Sequence, residues 1–170
     1  MQAKARRESI LEILHTAQQP ISAGTLAARF SVSRQIIVGD IALLRAGGAK
    51  ISATPQGYVI LKKENGVLRQ IACQHSGEQM EAELNAIVDQ GCTVVDVIVE
   101  HPIYGQLTGP LQLTSRYDVG RFLERCARSE ARPLSDLTGG IHLHTLSCPD
   151  DAAFARVEGV LRQLGVLLEG

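Results

Sequence analysis

Long apolar runs are missing from this sequence. No segment approaches the roughly 18 consecutive apolar residues that a transmembrane helix needs, and the N-terminal MQAKARRESI lacks the apolar core of a signal peptide. We therefore expect a cytoplasmic protein without a membrane partner. Cysteines close together in sequence are missing too. This favours the interpretation of the cysteines as small buried apolar residues over metal-binding or redox-active cysteines. The four scattered cysteines are Cys73, Cys92, Cys126 and Cys148.

Net charge is almost absent, because the 170 residues sum to −1. The charges are nevertheless unevenly distributed. Residues 1–63 hold nine Lys or Arg against three acidic residues, a net charge of +6, and residues 64–170 carry −7. This asymmetry indicates that the N-terminal part alone binds a polyanion. Because the polar connector KKENG spans Lys62 to Gly66, we predict two domains, residues 1–63 and residues 64–170.

The segment SVSRQIIVGDIALLRAGG predicts a helix from Arg34 to Ala46, with Ser33 as its N-cap. An apolar stripe faces a core, and the opposite face is small except near the N-terminus. A helix in the DNA major groove needs a cation for phosphate, an amide for a base edge and a methyl for thymine. The alternative is an ordinary amphipathic surface helix. The predicted DNA-contacting residues are Ser31, Ser33, Arg34, Gln35, Val38, Arg45 and Lys50.

The neighbouring segments favour the DNA-binding interpretation. A short helix from Ala23 to Phe30 precedes the helix Arg34–Ala46, and only three residues separate the two, as in a helix-turn-helix. A further helix near Ala5–Ala17 closes the core. Residues 50–61 predict two strands around the turn Pro55-Gln56-Gly57, which would form a wing. Together these elements predict a winged helix-turn-helix.

The second half of the sequence alternates strands and helices. We expect helices layered on one sheet, a two-layer domain that makes the chain mixed α/β (α+β). His101 to Pro110 is expected to be a loop, Leu164 to face inward on the last helix, and 166–168 to add an edge strand. The predicted strands are Val67–His75, Cys92–His101 and Ile141–Cys148, and the predicted helices run from about Glu78 to Gln90 and begin after Ser115 and Asp150.

Histidines on two of these strands suggest a metal site. His142 and His144 are two residues apart, so their side chains leave the same face of a strand. His75 ends another strand, and Glu83 and Glu81 occupy the two boundaries of a helix stripe, either of which could supply a carboxylate. Zinc, nickel, iron and manganese all suit such ligands. The alternative is a polar strand face with two exposed histidines.

The orientation of the His-x-His pair decides whether this site can form within one domain. If Ile141 and Leu143 face the helix layer, the two histidines face away from Glu83. The site would then require a sheet edge or a second subunit. The segment His101-Pro102-Ile103-Tyr104-Gly105 offers an imidazole that could pair with a small anion or a ring.

SVSRQIIVGDIALLRAGG and ATPQGYVI, followed by His75, VEHPIYG and IHLHT, resemble the NiaR-type repressors of nicotinate and NAD metabolism. These proteins join a biotin-repressor-like winged helix to a three-histidine (3H) domain. The resemblance spans about Arg6 to Leu168. It implies a repressor of genes for NAD synthesis or niacin uptake, with nicotinic acid as co-repressor. It also implies a transition metal held by His75, Glu83, His142 and His144, because the spacing from His75 selects Glu83 over Glu81.

From this resemblance we expect a homodimer on a palindromic operator, with nicotinate at or near a nickel or zinc ion, or an iron or manganese ion. The effector-binding residues would be His101, Tyr104, Gly105 and Arg116. Gly39 departs from the family, in which a longer polar residue is usual. The alternatives are another effector such as biotin or another pyridine, a metal-dependent hydrolase, and a metal that only stabilises the dimer. We expect a regulator, not an enzyme.

Overall fold

The computed structural model describes residues 2–62 and 66–170. The chain divides into two compact units, Met1–Lys63 and Glu64–Gly170. Residues 63–65, the middle of the predicted connector, lie outside the described residues. Among the described helices, none is long and apolar enough to cross a membrane.

The first unit consists of three helices and a β-hairpin. Its core is formed by apolar side chains from all three helices and the first strand, among them Ile10, Leu26 and Ile37. A bridge between Ile21 and Tyr58 adds a third segment to the hairpin. The elements are α1 (Ala3–Thr16), α2 (Ala23–Phe30), α3 (Arg34–Ala46), β1 (Ile51–Thr54) and β2 (Gly57–Ile60).

Hydroxyl caps and one buried carboxylate fix the helices of this unit. The Ser22 and Ser33 hydroxyls accept hydrogen bonds from backbone N–H groups at the starts of α2 and α3. Asp40 is buried in the middle of α3 and accepts a hydrogen bond of 2.6 Å from Arg6 Nε on α1, with Arg7 3.5 Å away. Two of the nine basic residues of this half therefore join α1 to α3.

Gly39 lies in the middle of α3, where its backbone freedom costs helix stability. No described heavy atom lies within 4 Å of a Cβ built at this position. We therefore expect Gly39→Ala to raise the free energy of unfolding by about 0.5–1 kcal/mol. Urea unfolding of the full chain checks this. The matched variant Ala42→Gly, at an exposed position of the same helix, should lower the free energy of unfolding by a similar amount. If Gly39→Ala is less stable than the wild type, Gly39 has a role other than this backbone cost.

The second unit is a four-stranded antiparallel sheet with three helices. The strand order is β3-β6-β4-β5, so the last strand lies between the first two strands of the unit. A 3₁₀ turn, Gly77–Gln79, precedes α4, and another, Leu134–Thr138, precedes β6. The elements are β3 (Val67–Gln74), α4 (Met80–Asp89), β4 (Thr93–His101), β5 (Gly105–Leu113), α5 (Arg116–Arg128), β6 (Ile141–Cys148) and α6 (Asp151–Gln163).

The main correction to the predicted elements is β5, because most of the expected loop His101–Pro110 is a strand paired with β4. Gly105, Gly109 and Pro110 are typical of a loop, but β5 lies at the edge of the sheet, where a proline interrupts no second ladder. The prediction that Leu164 faces inward was also wrong, since this residue caps the C-terminus of α6 with 38% of its surface exposed. The predicted strand 166–168 is reduced to a single bridge between Leu167 and Cys73.

The helices α4, α5 and α6 pack with the sheet around one apolar core, to which Leu84, Ile87, Val94, Leu146 and Leu161 contribute. On β6 the buried residues alternate with partly exposed ones along the whole strand. The mixed α/β fold class, with an N-terminal helix-turn-helix followed by helices on one sheet, is confirmed. The sheet face that meets α4 carries the site.

Candidate metal centre

Glu83 on α4 is almost fully buried, with 1% of its surface exposed. Sequence analysis placed it at the boundary of the apolar stripe, and the fold turns that boundary toward the sheet. Glu81, the competing carboxylate, is exposed. A buried carboxylate requires partners that compensate for its lost hydration. Among the described residues, its side-chain partners are three histidines, one directly after β3 and two on β6.

Three imidazoles converge on this carboxylate. The Nε2 atoms of His75 and His144 contact one oxygen each, and His142 Nε2 lies 3.1 Å and 3.2 Å from the two oxygens. All three histidine side chains are buried. We call His75, Glu83, His142 and His144 the histidine–glutamate centre.

The orientation of β6 resolves the question left by its alternating sequence. His142 and His144 face the helix layer together with Leu146 and Cys148, whereas Ile141 and Leu143 face the other side. The orientation that would have separated the histidines from Glu83 is therefore wrong. The four side chains of the centre therefore meet within one unit of one chain.

Backbone carbonyls fix the tautomer of each histidine. The Nδ1 atoms of His75, His142 and His144 lie 2.7–2.9 Å from the carbonyl oxygens of Ser76, Gly140 and Asp96, respectively. Because a carbonyl oxygen only accepts hydrogen bonds, each Nδ1 must donate. In its neutral form each ring then directs an Nε2 lone pair toward Glu83. Metal-binding histidines are commonly held in this way.

The charges in the centre stabilise one another. Burial alone would raise the pKa of Glu83, but the attraction of His144 and the hydrogen bonds that His142 and His144 donate, which require a proton on Nε2 as well as on Nδ1, outweigh it and hold that pKa well below its usual range. Burial alone would lower the pKa of His144, but the Glu83 carboxylate and the Asp96 carbonyl outweigh it and raise that pKa. A positive charge is therefore strongly favoured between these groups.

The donor set fits a metal ion. Three neutral imidazoles and one carboxylate present only lone pairs to each other, so a cation, either a proton or a metal, must lie between them. Three protonated imidazoles around a single carboxylate would repel one another. Imidazole nitrogen and carboxylate oxygen are ordinary ligands of first-row transition metals.

Two residues that sequence analysis did not place in the site lie against it. Cys73 is fully buried on β3, and its sulfur and one ligand atom each of Glu83 and His142 lie within 4.8 Å of one another. Burial, with a smaller contribution from Glu83, raises the pKa of its thiol. Cys73 could have been found from its position two residues before His75, because residues i and i+2 share a strand face. The second of these residues is Gly140, which lies two residues before His142.

Gly140 shapes the backbone of the centre. Its φ of +91° is a left-handed conformation, a Cβ there would overlap the carbonyl oxygen of His75, and its own carbonyl accepts from the amide of His75 and from His142 Nδ1. We expect Gly140→Ala to cost about 1–3 kcal/mol of stability and to weaken metal binding roughly tenfold. Thermal unfolding and chelator competition measure these effects.

The neighbouring Gly139 provides the control for this variant. Its φ of +62° is also left-handed, but no described atom lies within 4 Å of a Cβ at that position. Gly139→Ala should therefore show the backbone cost without the loss of metal affinity. Equal metal affinities for the two variants would contradict the role assigned to Gly140.

The structure does not bring the four predicted effector residues together. His101, Tyr104 and Gly105 form the β4–β5 turn, at the same end of the sheet as Gly140. Arg116 begins α5 after β5 has run back to the opposite end, and its guanidinium pairs with Asp89, with Nε 2.7 Å from Oδ1. Arg116 therefore lies away from the other three.

The β4–β5 turn carries an imidazole and an exposed aromatic ring side by side. His101 Nδ1 accepts hydrogen bonds from the amides of Ile103 and Tyr104, so its neutral ring carries the proton on Nε2, where it can donate. The rings of His101 and Tyr104 lie 5.1 Å apart, and 72% of the Tyr104 surface is exposed.

The predicted DNA-contacting residues lie on the exposed side of the first unit, around α3. Arg34, Gln35 and Val38 project from the first turns of the helix, and Lys50 precedes the wing. Ser31 adopts a left-handed conformation at the end of α2, and Ser33 caps α3. The Arg45 side chain also stabilises the fold, since its Nε donates a hydrogen bond of 2.8 Å to the Ile51 carbonyl.

Comparison with known proteins agrees with both units. Residues 6–59 match a family model described as an HTH domain, and residues 68–170 match one described as a 3H domain. The chain is similar to "Probable transcription repressor NiaR" of Thermotoga maritima, with 42% identity over 96% of this chain and 94% of that protein. It is also similar to "Transcription repressor NadR" of Bacillus subtilis, with 42% identity over 96% of this chain and 93% of that protein.

A helix-turn-helix joined to a 3H domain defines a DNA-binding transcription repressor, and both relatives are named as repressors and not as enzymes. The chain is accordingly not the metal-dependent hydrolase considered as an alternative. It belongs to the NiaR-type family of transcription repressors.

Proposed function

We propose that this repressor controls genes of NAD synthesis or niacin uptake, and that nicotinic acid acts as its co-repressor through a metal ion in the histidine–glutamate centre. One observation carries the proposal: three Nε2 lone pairs and one carboxylate face each other in a buried cluster. Burying these four groups without a cation between them would lower the stability of the fold.

The metal would be held by His75, Glu83, His142 and His144. Nickel or zinc suits three imidazoles and a carboxylate, and iron and manganese also accept these ligands. When bound, the ion offers a Lewis-acidic position to an anionic ligand. The protein fixes the direction of the three rings through their Nδ1 hydrogen bonds and keeps bulk water from the carboxylate.

Nicotinate would bind at the end of the sheet that carries the centre. Its carboxylate would either ligate the ion or lie close to it, and His101 Nε2–H offers a hydrogen bond to an anion. The rings of His101 and Tyr104 offer surfaces for a pyridine ring. Gly105 completes this turn, whereas Arg116 is no longer part of the proposed site because it lies at the opposite end.

The first unit would bind double-stranded operator DNA through α3 and the wing. Arg34, Gln35 and Val38 would face the major groove, and Ser31, Ser33, Arg45 and Lys50 would contact the backbone. The net charge of +6 in residues 1–63 supports binding to a polyanion. The protein would act in the cytoplasm, together with its operator.

A homodimer is proposed because a palindromic operator matches two-fold symmetry. Nicotinate would then favour the dimer whose two recognition helices fit the operator, provided that it binds that state more tightly.

Calorimetric titration of nicotinate into metal-loaded and chelator-treated protein tests the effector proposal. We expect saturable binding only with metal present, and much weaker binding of nicotinamide, which lacks the carboxylate. Binding of biotin in place of nicotinate would identify a different effector. If chelation lowers the melting temperature and nicotinate binding is unchanged, the metal is structural and the sensor role is wrong.

A further inference from the structure

Cys73 occupies a position in the sheet that points at the centre. In the β3–β6 ladder it pairs directly with His142, and Ile71 pairs with His144. Residues 71, 73 and 75 share one face of the strand because side chains alternate. The thiol therefore lies on the same face as two histidines of the centre and is fully buried there, beneath Glu83 of α4.

The distances are close to those required of ligands on one ion. The Cys73 sulfur, one Glu83 oxygen and one His142 ring nitrogen all lie within 4.8 Å of one another. A sulfur bonded at about 2.3 Å and a nitrogen bonded at about 2.1 Å to a shared ion lie no more than roughly 4.4 Å apart. A side-chain adjustment of about 1 Å or less would therefore bring the sulfur to the ion.

We propose that Cys73 is a further ligand of the metal, so that the centre of this protein contains a sulfur in addition to three nitrogens and a carboxylate. This proposal rests on metal binding at the histidine–glutamate centre. On binding, the S–H bond breaks, a metal–sulfur bond forms, and the proton leaves to solvent. A thiolate favours zinc, nickel and cobalt over manganese and other ions that prefer oxygen, so Cys73 would determine which metal the repressor accepts.

Cobalt titration of the full-length protein tests this proposal. Co²⁺ bound by a thiolate shows a sulfur-to-metal charge-transfer band in the near ultraviolet, in addition to the weaker visible bands that any low-symmetry site gives. We expect the charge-transfer band in the wild type and its loss in Cys73→Ala. The visible bands should remain in that variant, with cobalt affinity at least about tenfold lower.

Cys126→Ala is the matched control, because Cys126 is half-buried on α5 and lies in the same unit. It should keep both the band and the affinity. Cys73→Ser preserves the size of the side chain and provides the same test if Cys73→Ala does not fold.

The outcomes separate the two proposals. Visible cobalt bands without charge transfer in the wild type would overturn the thiolate ligand and leave the histidine–glutamate metal site supported. Retention of the charge-transfer band in the Cys73 variants would also overturn it. A wild-type protein that binds none of cobalt, zinc, nickel, iron and manganese would overturn both proposals.

Discussion

Replacing Glu83 with Gln is expected to weaken metal binding by at least about 100-fold, more than the loss of a typical residue that only supports a ligand. Glu83 supplies the negative charge among the proposed nitrogen and oxygen ligands, and its pKa is held low, so the wild-type group is ionised. The amide of Gln can donate hydrogen bonds to the imidazole lone pairs. Glu83→Gln should therefore fold without metal, and chelator competition with a parallel melting curve measures both properties.

Glu81→Gln is the control for this result. It removes the same charge from an exposed position on the same helix, two residues from Glu83. Wild-type metal affinity is expected for this variant. If Glu83→Gln binds metal as the wild type does, or if Glu81→Gln loses it to the same extent, the buried carboxylate is not a ligand.

Replacing both Arg34 and Gln35 with Ala is expected to weaken operator binding by at least about 30-fold, since each major-groove contact contributes roughly 1–3 kcal/mol. Loss of the arginine should also reduce the salt dependence of binding by about one phosphate contact. Both side chains are exposed, and the Ser33 cap is unchanged, so stability should be preserved. Fluorescence anisotropy on operator DNA at several salt concentrations measures the effect.

Arg128→Ala controls for the simple loss of a positive charge. Arg128 is exposed in the last turn of α5, in the other unit of the chain. It should bind operator like the wild type. If the double variant binds as tightly as Arg128→Ala, then α3 does not read DNA through its first turn.

Local sequence signals predicted the first unit well. The caps at Ser22 and Ser33 and the apolar stripes of α2 and α3 determine where these helices begin and end, and the structure has the predicted bounds. The ion pair of Arg6 and Asp40 could not be predicted in the same way, because it joins residues 34 apart in sequence. A charge pattern does not show which carboxylate becomes buried.

Sequence analysis named the four residues that the structure brings together, but it did not determine which face of β6 is buried. A period of two shows that His142 and His144 share a face, but only tertiary packing decides which face is buried. A signal was present later in the strand, where Leu146 and Cys148 alternate with the polar Thr145 and Ser147 and so indicate the buried side.

Two features of the second unit were not predicted because their residue types usually indicate something else. Cys73 was interpreted as a small apolar residue, which is the role of most buried cysteines, and its closeness to Glu83 depends on how α4 packs on the sheet. β5 was missed because glycines and a proline usually end strands, and its position at the sheet edge became clear only from the strand order.

The most direct test of the co-repressor account is the affinity of the wild-type protein for DNA from its own upstream region, measured by anisotropy with and without nicotinate, before and after metal removal. We expect tighter binding that requires both nicotinate and metal. The Glu83→Gln protein should lose this response and keep its basal, salt-sensitive affinity. Identical operator affinity with and without nicotinate in metal-loaded protein would contradict the co-repressor mechanism.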